Sequence, residues 1–535
     1  MRRYIVRNLR VSPEATPEEC RAALAKKLGT WDFEAQLYRE SIDARRGIQR
    51  NLQFLVQLKG RGRLPRHSDI QPYEALELER PKGHVPLRRR PVIVGSGPCG
   101  LFAAWLLAQE GYCPLILERG APVEERRRDV ERFWQEGLLK AESNVQFGEG
   151  GAGTFSDGKL TSRSKDPRVH SVLESLVALG APEDILWRQY PHVGTDQLQA
   201  LLPRLRAQIE AWGGEFRFHC RFLSCIVEGG RLKGLRSTQG DLDTDVLILA
   251  LGHSARDSFY QLHQDGLAME AKAFAMGFRL EHPQVQIERQ QYGTNYAESP
   301  LLPRASYHLT AQVQGGLKAL GVYSFCMCPG GYVVNASSEP QRLCVNGMSY
   351  RARDGRNANA ALLCTVDRDI YGAELFSGLE FQRQVEARAF ALGQEAGAYA
   401  APVQCWADYR KNVASSQLGE IQPSVRPSWQ LSNLRGLYPP AMEEAFIQAL
   451  ELWGQRLPNF DRGDAILTGV EARSSSPLRL LRNTEGESLS LPGLFPAGEG
   501  AGYAGGIVSA AIDGLKAAQQ IMQRYAPLCR PFVQV

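Results

Sequence analysis

The 535-residue chain contains no apolar run of the roughly 18 residues that a membrane-spanning helix needs. Its start, MRRYIVRNLRV, is basic but lacks an apolar core segment, so we expect no secretory signal. The eleven cysteines are odd in number and scattered, which argues against a disulfide framework. No paired Cys or His motif indicates a metal site. These absences together predict a cytoplasmic protein with neither a membrane nor a metal partner.

What is present is ordinary for a soluble protein, with 43% hydrophobic and 23% charged residues. The net charge of +5 is uneven, because residues 1–90 carry 20 Lys and Arg against 11 Asp and Glu. Such a basic front end is typical of RNA or acidic partners, and equally of a solvated basic face. Both interpretations stay open.

The first 88 residues predict a small α+β domain. A strand at 4–11, a helix that Thr16 begins and Gly29 ends, and strands at 33–39 and 51–59 follow in β-α-β-β order. This order suggests a ferredoxin-like arrangement. A linker rich in proline and arginine follows.

The stretch PVIVGSGPCGLF predicts a dinucleotide site, because Gly95, Gly97 and Gly100 form a G-x-G-x-x-G motif between a strand and a helix. The three glycines permit a tight turn, close approach of a pyrophosphate to the helix N-terminus, and close packing of helix on strand. Glu118 ends the next strand, where a carboxylate accepts hydrogen bonds from an adenosine ribose. The predicted contacts here are Gly95, Ser96, Gly97, Pro98, Gly100, Glu118 and Arg119.

A second glycine-rich segment, near the C-terminus, favours FAD over NAD as the bound dinucleotide. LPGLFPAGEGAGYAGGIVSAAIDGLKAAQQI, at 491–521, predicts a strand, a glycine turn and a helix, and DVLILALG at 245–252 predicts another strand. FAD needs such a return, because its ribitol and isoalloxazine are held far from the adenosine. The helix start would direct its positive dipole end at the flavin. The predicted contacts are Gly252, Gly498, Glu499, Gly505, Gly506 and Ile507.

In these motifs the chain resembles the FAD-binding fold of the glutathione-reductase type. It resembles more closely the uncharacterised FAD-dependent dehydrogenases of bacteria and chloroplasts. The closer resemblance rests on GEGGAGTFSDGKL, GHSARD, FCMCPGGYVVNASSE, NGMSYRARDGRNANAALL, GVEARSSSPLR and the C-terminal segment, and the front domain is similar to that group's extension. The resemblance implies bound FAD and an oxidoreductase, with no substrate assigned. Glu499 stands where most such enzymes have aspartate.

A second glycine cluster, FGEGGAGTFSDGKLTSR at 147–163, is not a P-loop, because it lacks G-x-x-x-x-G-K-[ST]. We predict that Gly150, Gly151 and Gly153 lie against the pyrophosphate and isoalloxazine, with their N–H groups facing the flavin. Ser156 and Lys159 would then project towards the flavin or substrate. An ordinary surface loop is the alternative.

The substrate side is less determined. No second G-x-G-x-x-G occurs between 260 and 465, so NAD(P)H would dock directly on the flavin or another donor serves. In GVYSFCMCPGG, strand alternation puts Cys326 and Cys328 on one face with sulfurs about 7 Å apart, for packing or for thiol chemistry. Arg351 and Arg473 are candidates for holding a carboxylate or phosphate, or are surface residues. His253 would move protons or play a structural role.

These features predict an α/β protein built on a Rossmann-type FAD-binding domain with an inserted α+β substrate domain. The predicted domains are 1–88 (basic, ferredoxin-like), 89–260 (FAD, first part), 261–465 (substrate domain) and 466–535 (FAD, C-terminal part). The predicted activity is FAD-dependent oxidation or reduction of a small molecule by hydride transfer at flavin N5, with Lys159, Cys326, Cys328, Arg351 and Arg473 as candidate catalytic residues. An RNA-modifying or RNA-bound flavoprotein and a non-catalytic flavin scaffold or sensor are the alternatives.

Overall fold

The structure is a computed structural model that describes residues 3–45, 47–59, 65, 67–74, 77–161, 166–315 and 318–530. Within these residues, no helix combines the length and the apolar character that crossing a bilayer requires.

The N-terminal module is one helix on an antiparallel sheet. The Thr16 hydroxyl accepts from the Glu19 amide at 3.2 Å, the Glu19 carboxylate accepts from the Thr16 amide at 2.8 Å, and Gly29 ends the helix with a φ of 69°. Both predicted helix ends are confirmed. The sheet order is β2-β3-β1-β4. The ferredoxin-like assignment stays a prediction. The elements are β1 (Arg3–Val11), α1 (Pro17–Leu28), β2 (Phe33–Asp43), β3 (Gln49–Leu58) and β4 (Ile70–Pro72).

The following part of the chain alternates strands and helices. Its elements are β5 (Val85–Pro86), β6 (Val92–Val94), α2 (Pro98–Gln109), β7 (Leu115–Leu117), α3 (Val123–Glu136), α4 (Arg168–Ala178), α5 (Thr195–Ala211), β8 (Glu215–Arg217), β9 (Phe222–Glu228), β10 (Arg231–Ser237), β11 (Gly240–Asp243), β12 (Leu247–Leu249) and α6 (Arg256–Gln264).

The remaining elements are β13 (Met269–Ala271), β14 (Phe274–Pro283), α7 (Gln284–Tyr292), β15 (Thr310–Gly315), β16 (Lys318–Cys328), β17 (Tyr332–Asn335), β18 (Val345–Met348), β19 (Asn357–Val366), α8 (Arg368–Tyr371), α9 (Ser377–Gly393), β20 (Ala401–Cys405), α10 (Trp406–Lys411), β21 (Trp429–Leu431), α11 (Pro440–Arg456), β22 (Ile466–Glu471), β23 (Leu478–Leu480), β24 (Leu494–Pro496), α12 (Ile507–Arg524) and β25 (Tyr525–Ala526).

Two large sheets organise the rest of the molecule. The first is parallel, in the order β24-β12-β6-β7-β8, so the late strand β24 pairs with β12, which lies some 250 residues earlier in the chain. The second has seven strands, in the order β15-β16-β19-β14-β22-β20-β21, and a large apolar core lies against it. Because β22 lies inside this sheet, the sheet extends past the predicted boundary at 465.

The N-terminal module contacts the rest of the chain through the edge of β2. The Glu40 amide donates to the Trp187 carbonyl at 2.7 Å, and the Gln189 amide donates to the Glu40 carbonyl at 2.9 Å. Tyr296 adds a hydrogen bond from its hydroxyl to the Glu14 carboxylate at 2.8 Å. These contacts hold the N-terminal module against the face that carries a pocket of about 2460 Å³.

Candidate functional site

The first glycine loop joins β6 to α2. A Cβ on Gly95 would lie 2.5 Å from the Ala250 carbonyl oxygen, and one on Gly100 would lie 1.9 Å from the Gly95 oxygen, so neighbouring backbone fills both positions. Gly97 is different, because a Cβ there would meet only the Gly151 Cα, at 3.9 Å. No described side chain caps α2, whose N-terminal amides therefore remain available to a ligand.

The Glu118 carboxylate accepts hydrogen bonds from both glycine loops. One carboxylate oxygen accepts from the Ser96 amide at 2.9 Å and hydroxyl at 2.8 Å; the other accepts from the amides of Gly120, at 2.9 Å, and Gly148, at 3.0 Å. The side chain is nearly buried at the pocket wall. Its predicted ribose contact stays a prediction. The neighbouring Arg119 packs its guanidinium 4.1 Å above the ring of Phe147.

The second glycine loop lies directly on the first. The Gly150 amide donates to the Ser96 carbonyl at 2.8 Å, and a Cβ on Gly151, whose φ is 63°, would lie 3.1 Å from the Gly97 Cα. The Gly151 amide donates to the Gly148 carbonyl at 2.9 Å. The prediction that the amides of Gly150 and Gly151 face the flavin is therefore wrong, because backbone carbonyls already take them.

A buried arginine that the sequence did not single out anchors this loop. The Arg126 guanidinium donates to the carbonyls of Asn144 at 2.8 Å, Val145 at 3.0 Å and Glu149 at 2.6 Å. A Cβ on Gly148 would lie 2.4 Å from its side chain. Burial lowers the pKa of Arg126 to about 10, which leaves it charged at neutral pH. Its only sequence signal was the run EERRRD, which is typical of a solvated helix.

The late segment brings a second helix start to the same place. The Gly498 amide donates to Asp513, a residue that sequence reasoning missed, at 2.7 Å. Gly505 and Gly506 precede α12, and a Cβ on either would meet nothing within 4 Å. A Cβ on Gly153 would lie 3.0 Å from the Ile507 side chain. The second glycine loop thus bridges the N-termini of α2 and α12.

One pocket of about 2460 Å³ joins these segments. Ligand pockets usually enclose roughly 300–1000 Å³, so this one has room for a dinucleotide and a second molecule. Among the predicted cofactor residues, all but Ser96, Gly100, Gly150 and Gly498 line it. All five candidate catalytic residues line it as well. Bare glycines at two helix N-termini form the cradle that a pyrophosphate requires, so the residues present fit FAD.

Cys326 lines this pocket through a break in β16. The pairing of β16 with β19 shifts register between Phe325 and Cys328, and Cys326 has a φ of 39°. Cys326 is consequently exposed at the pocket, whereas Cys328 is buried. The prediction that both share one strand face is wrong, because a β-bulge interrupts the alternation. Desolvation by the surrounding protein raises the pKa of Cys326 to about 12, so its thiol is neutral at pH 7.

Charged side chains surround the pocket beside Cys326. Lys159 is half-buried, and its ammonium group donates to the Met327 carbonyl. Arg351 makes a two-point ion pair with Asp184 at 2.7 and 2.6 Å. Arg473 is buried, and its guanidinium donates to Glu386 at 2.8 and 2.9 Å. The surface alternative for Arg473 is therefore wrong, and both arginines have carboxylate partners inside the protein.

His253 and Glu499 form a pair near the late glycine turn. The His253 Nδ1 lies 3.6 Å from a Glu499 carboxylate oxygen. Burial raises the pKa of Glu499 to about 7. Burial and the cations of Arg473 and Arg256 lower the pKa of His253 to about 4, so this imidazole is neutral at pH 7. The carboxyl group of the pair can therefore hold or release a proton near neutral pH.

The fold and pocket define a class, the flavoproteins with a Rossmann-type dinucleotide-binding domain. Residues 93–123 match the family described as NAD(P)-binding Rossmann-like domain, and residues 273–474 match FAD-dependent protein, C-terminal domain-like. A Clostridium beijerinckii protein, described as an uncharacterized protein, is 45% identical over 496 residues, which is 91% of this chain and 92% of that one. The chain belongs to the family of this relative, a family of FAD-dependent oxidoreductase-like proteins, and FAD is its cofactor.

Two solved structures illustrate the more distant likenesses. Glycine oxidase from Bacillus cereus is 11% identical, with 81% of this chain and 95% of that chain covered and a TM-score of 0.34. L-Amino acid deaminase from Proteus myxofaciens is 12% identical, with coverage of 85% and 95% and a TM-score of 0.33. Neither likeness is close enough to transfer a substrate or a reaction.

Proposed function

We propose that the protein is a FAD-dependent dehydrogenase that transfers a hydride between flavin N5 and a small organic substrate. The observation that carries the proposal is the single pocket of about 2460 Å³, lined by the three glycine segments together with Lys159, Cys326 and Arg351. A flavin scaffold or sensor has no need of a chamber beyond its cofactor. Here the chamber continues past the cofactor residues into a charged region.

At the cofactor end, the residues fit a dinucleotide. The N-termini of α2 and α12 would bind the pyrophosphate and the flavin pyrimidine edge, and Glu118 would bind the ribose. FAD, when bound, supplies a two-electron acceptor or donor. The backbones of Gly151 and Gly97 approach closely, since a Cβ on Gly151 would lie 3.1 Å from the Gly97 Cα, so backbone lines the cradle where the two loops meet.

At the substrate end, Lys159 is the cation best suited to the proposed chemistry. Unlike Arg351 and Arg473, it makes no ion pair among the described residues, and its ammonium group binds a carbonyl oxygen. An ammonium group beside a flavin stabilises the reduced anion and raises the reduction potential. The His253–Glu499 pair would take up or deliver the proton that accompanies the hydride.

The N-terminal module supplies part of the outer wall. Residues of the β2–β3 hairpin, from Glu40 to Arg45 and at Arg50, line the same pocket. Arg50 lies 2.7 Å from Glu40, and Arg45 lies 2.8 Å from Asp43. Much of the basic charge in this hairpin is therefore already neutralised. We infer that the module limits which molecules reach the flavin, and RNA binding remains the competing hypothesis for it.

The experiment mixes the purified holoprotein anaerobically with each member of a metabolite library and measures reduction as the loss of flavin absorbance. We expect one chemical class to bleach the flavin, and the same class to bleach a Lys159→Met variant more slowly. A Lys59→Met variant is the matched control, since Lys59 pairs with Glu34 on the N-terminal module and does not line the pocket. If no metabolite bleaches the flavin, and neither NADH nor NADPH does, the result would favour the scaffold hypothesis instead.

A further inference from the structure

Two thiols meet outside the pocket, between the turn that follows α2 and the tail that follows α12. The sulfur atoms of Cys113 and Cys529 are 3.1 Å apart, although 416 residues separate them along the chain. A disulfide bond measures about 2.05 Å, so closing this one requires roughly 1 Å of sulfur movement. Cys113 is half-buried, and Cys529 is exposed.

Backbone contacts set this approach. The Cys529 amide donates to the Gly111 carbonyl at 2.9 Å. A Cβ on Gly111, whose φ is 83°, would lie 2.5 Å from the Cys529 carbonyl oxygen, so only glycine lets the tail come this near. The Tyr112 hydroxyl donates to the Tyr525 carbonyl at 2.6 Å. The main chain therefore holds the two cysteines side by side.

We propose that Cys113 and Cys529 are a redox-modification site that a small disulfide, such as glutathione disulfide, converts into an intramolecular disulfide. The Cys529 thiolate attacks one sulfur of the small disulfide, whose S–S bond breaks to release the first glutathione thiolate. The Cys113 thiolate then attacks the Cys529 sulfur, the mixed disulfide breaks, and the second glutathione thiolate leaves. Two protein thiols are oxidised, and one small disulfide is reduced to two thiols.

The order of the two attacks follows from exposure. Burial, with the neighbouring Cys529, raises the pKa of Cys113 to about 11, so little of it is thiolate at neutral pH. Cys529 is exposed and meets the small disulfide first. Once it carries the glutathione group, Cys113 lies at contact distance, and the high effective concentration compensates for its small thiolate fraction.

The disulfide would join the C-terminal ends of α2 and α12, the two helices whose N-termini face the pocket. Cys113 follows α2 and Cys529 follows α12, while the opposite ends of these helices face the pocket. The helices are in close contact, since a Cβ on Gly514 would lie 2.0 Å from the Cys99 carbonyl oxygen. The tail also pairs with the linker through β25 and β5. Oxidation would therefore restrain the frame around the dinucleotide site without touching its residues.

The test uses the purified holoprotein with glutathione disulfide, a native thiol count, and a non-reducing peptide map. We expect two thiols to disappear, a peptide pair joining Cys113 to Cys529, and full reversal by dithiothreitol. Cys326→Ser is the matched control, because Cys326 is the other exposed cysteine among the described residues, and this variant should form the same bond. Cys113→Ser should stop at a stable glutathione adduct on Cys529.

Two results would overturn the proposal. One is a wild-type protein that accumulates the Cys529–glutathione adduct and no internal bond. The other is a peptide map in which Cys529 pairs with Cys326 or with a second chain. If the disulfide restrains α2 against α12, the oxidised wild-type protein should melt several degrees higher than the reduced one. The Cys113→Ser protein should show no such rise. Equal midpoints for the two wild-type forms would contradict the joining of the helices.

Discussion

Replacing Gly97 with valine separates cofactor binding from folding. Gly97 has a φ of −73°, which valine adopts without strain, and its Cβ would meet only the Gly151 Cα at 3.9 Å. The protein itself should accept the side chain, apart from a weaker helix start that costs at most about 1 kcal/mol. The valine would instead occupy the cradle that we assign to the pyrophosphate.

The expected loss of FAD affinity follows from overpacking. Forcing extra methyl groups against a close-fitting partner costs about 1–3 kcal/mol, which corresponds to a roughly 5- to 150-fold rise in Kd. The assay is a fluorescence titration of the deflavinated protein with FAD, beside thermal melting of the apoprotein. Gly97→Val should melt close to the wild type and bind FAD weakly.

Gly100→Val is the informative contrast, because its Cβ would lie 1.9 Å from the Gly95 carbonyl oxygen. This variant should lose both stability and FAD. A folded Gly97→Val protein whose Kd for FAD stays within about twofold of the wild type would refute the assignment of this loop.

Four other predictions concern charge, electron supply and domain structure. Burial alone would raise the pKa of Glu386, but the guanidinium groups of Arg256 and Arg473 lower it to about 2. The ionised Glu386 therefore stabilises the folded protein fully above pH 4.5, and this contribution to the free energy of unfolding is lost as the pH falls towards 2. The contribution amounts to about 3 kcal/mol, so the stability of the Glu386→Gln variant should fall less steeply than that of the wild type between pH 4.5 and pH 2. An equal fall in both proteins would show that Glu386 does not titrate on unfolding. Lys159→Met should lower the flavin potential by on the order of tens of millivolts in a dye-equilibrated titration while Lys159→Arg retains it, and an unchanged potential in Lys159→Met would remove this lysine from the flavin. NADPH should reduce the flavin more slowly than about 10 per second in stopped-flow measurements, because no second nucleotide motif occurs in 260–465, and faster reduction would contradict this. Deleting residues 1–72 should preserve FAD and change substrate KM, whereas binding of RNA by the full chain alone, with a steep salt dependence, would favour the RNA hypothesis.

Local chemistry explains what the sequence predicted well. The helix that Thr16 begins and Gly29 ends, and the close packing of Gly100 on Gly95, depend on residues three to five positions apart. Their hydrogen bonds and steric limits can be read from a single segment. The return of residues 494–507 to the first glycine loop was also predictable, because the ribitol and isoalloxazine of FAD are held far from its adenosine and need a second binding segment.

Long-range pairing explains what the sequence did not predict. Arg473 was predicted to hold a carboxylate or phosphate or to lie at the surface. Its partner Glu386 lies 87 residues away and also binds Arg256, 130 residues away on the other side. Arg126 looked like part of a solvated charged run until its helix placed it under the second glycine loop. Neither assignment follows from local pattern, since each depends on where another element packs.

The bulge at Cys326 shows a different limit. An alternating pattern of residues predicts which face each side chain takes only while the strand keeps its register. Between Phe325 and Cys328 the sequence has no glycine or proline to indicate a break, yet the register shifts there and Cys326 moves to the pocket.

The most direct test of the central assignment is identification of the cofactor that the purified protein releases when it is denatured. The three glycine segments predict FAD, about one molecule per chain, and no FMN, because we assign Gly95–Gly100 and Glu118 to the adenosine half. Release of FMN, or of no flavin from protein that stays colourless when FAD is added, would contradict the assignment.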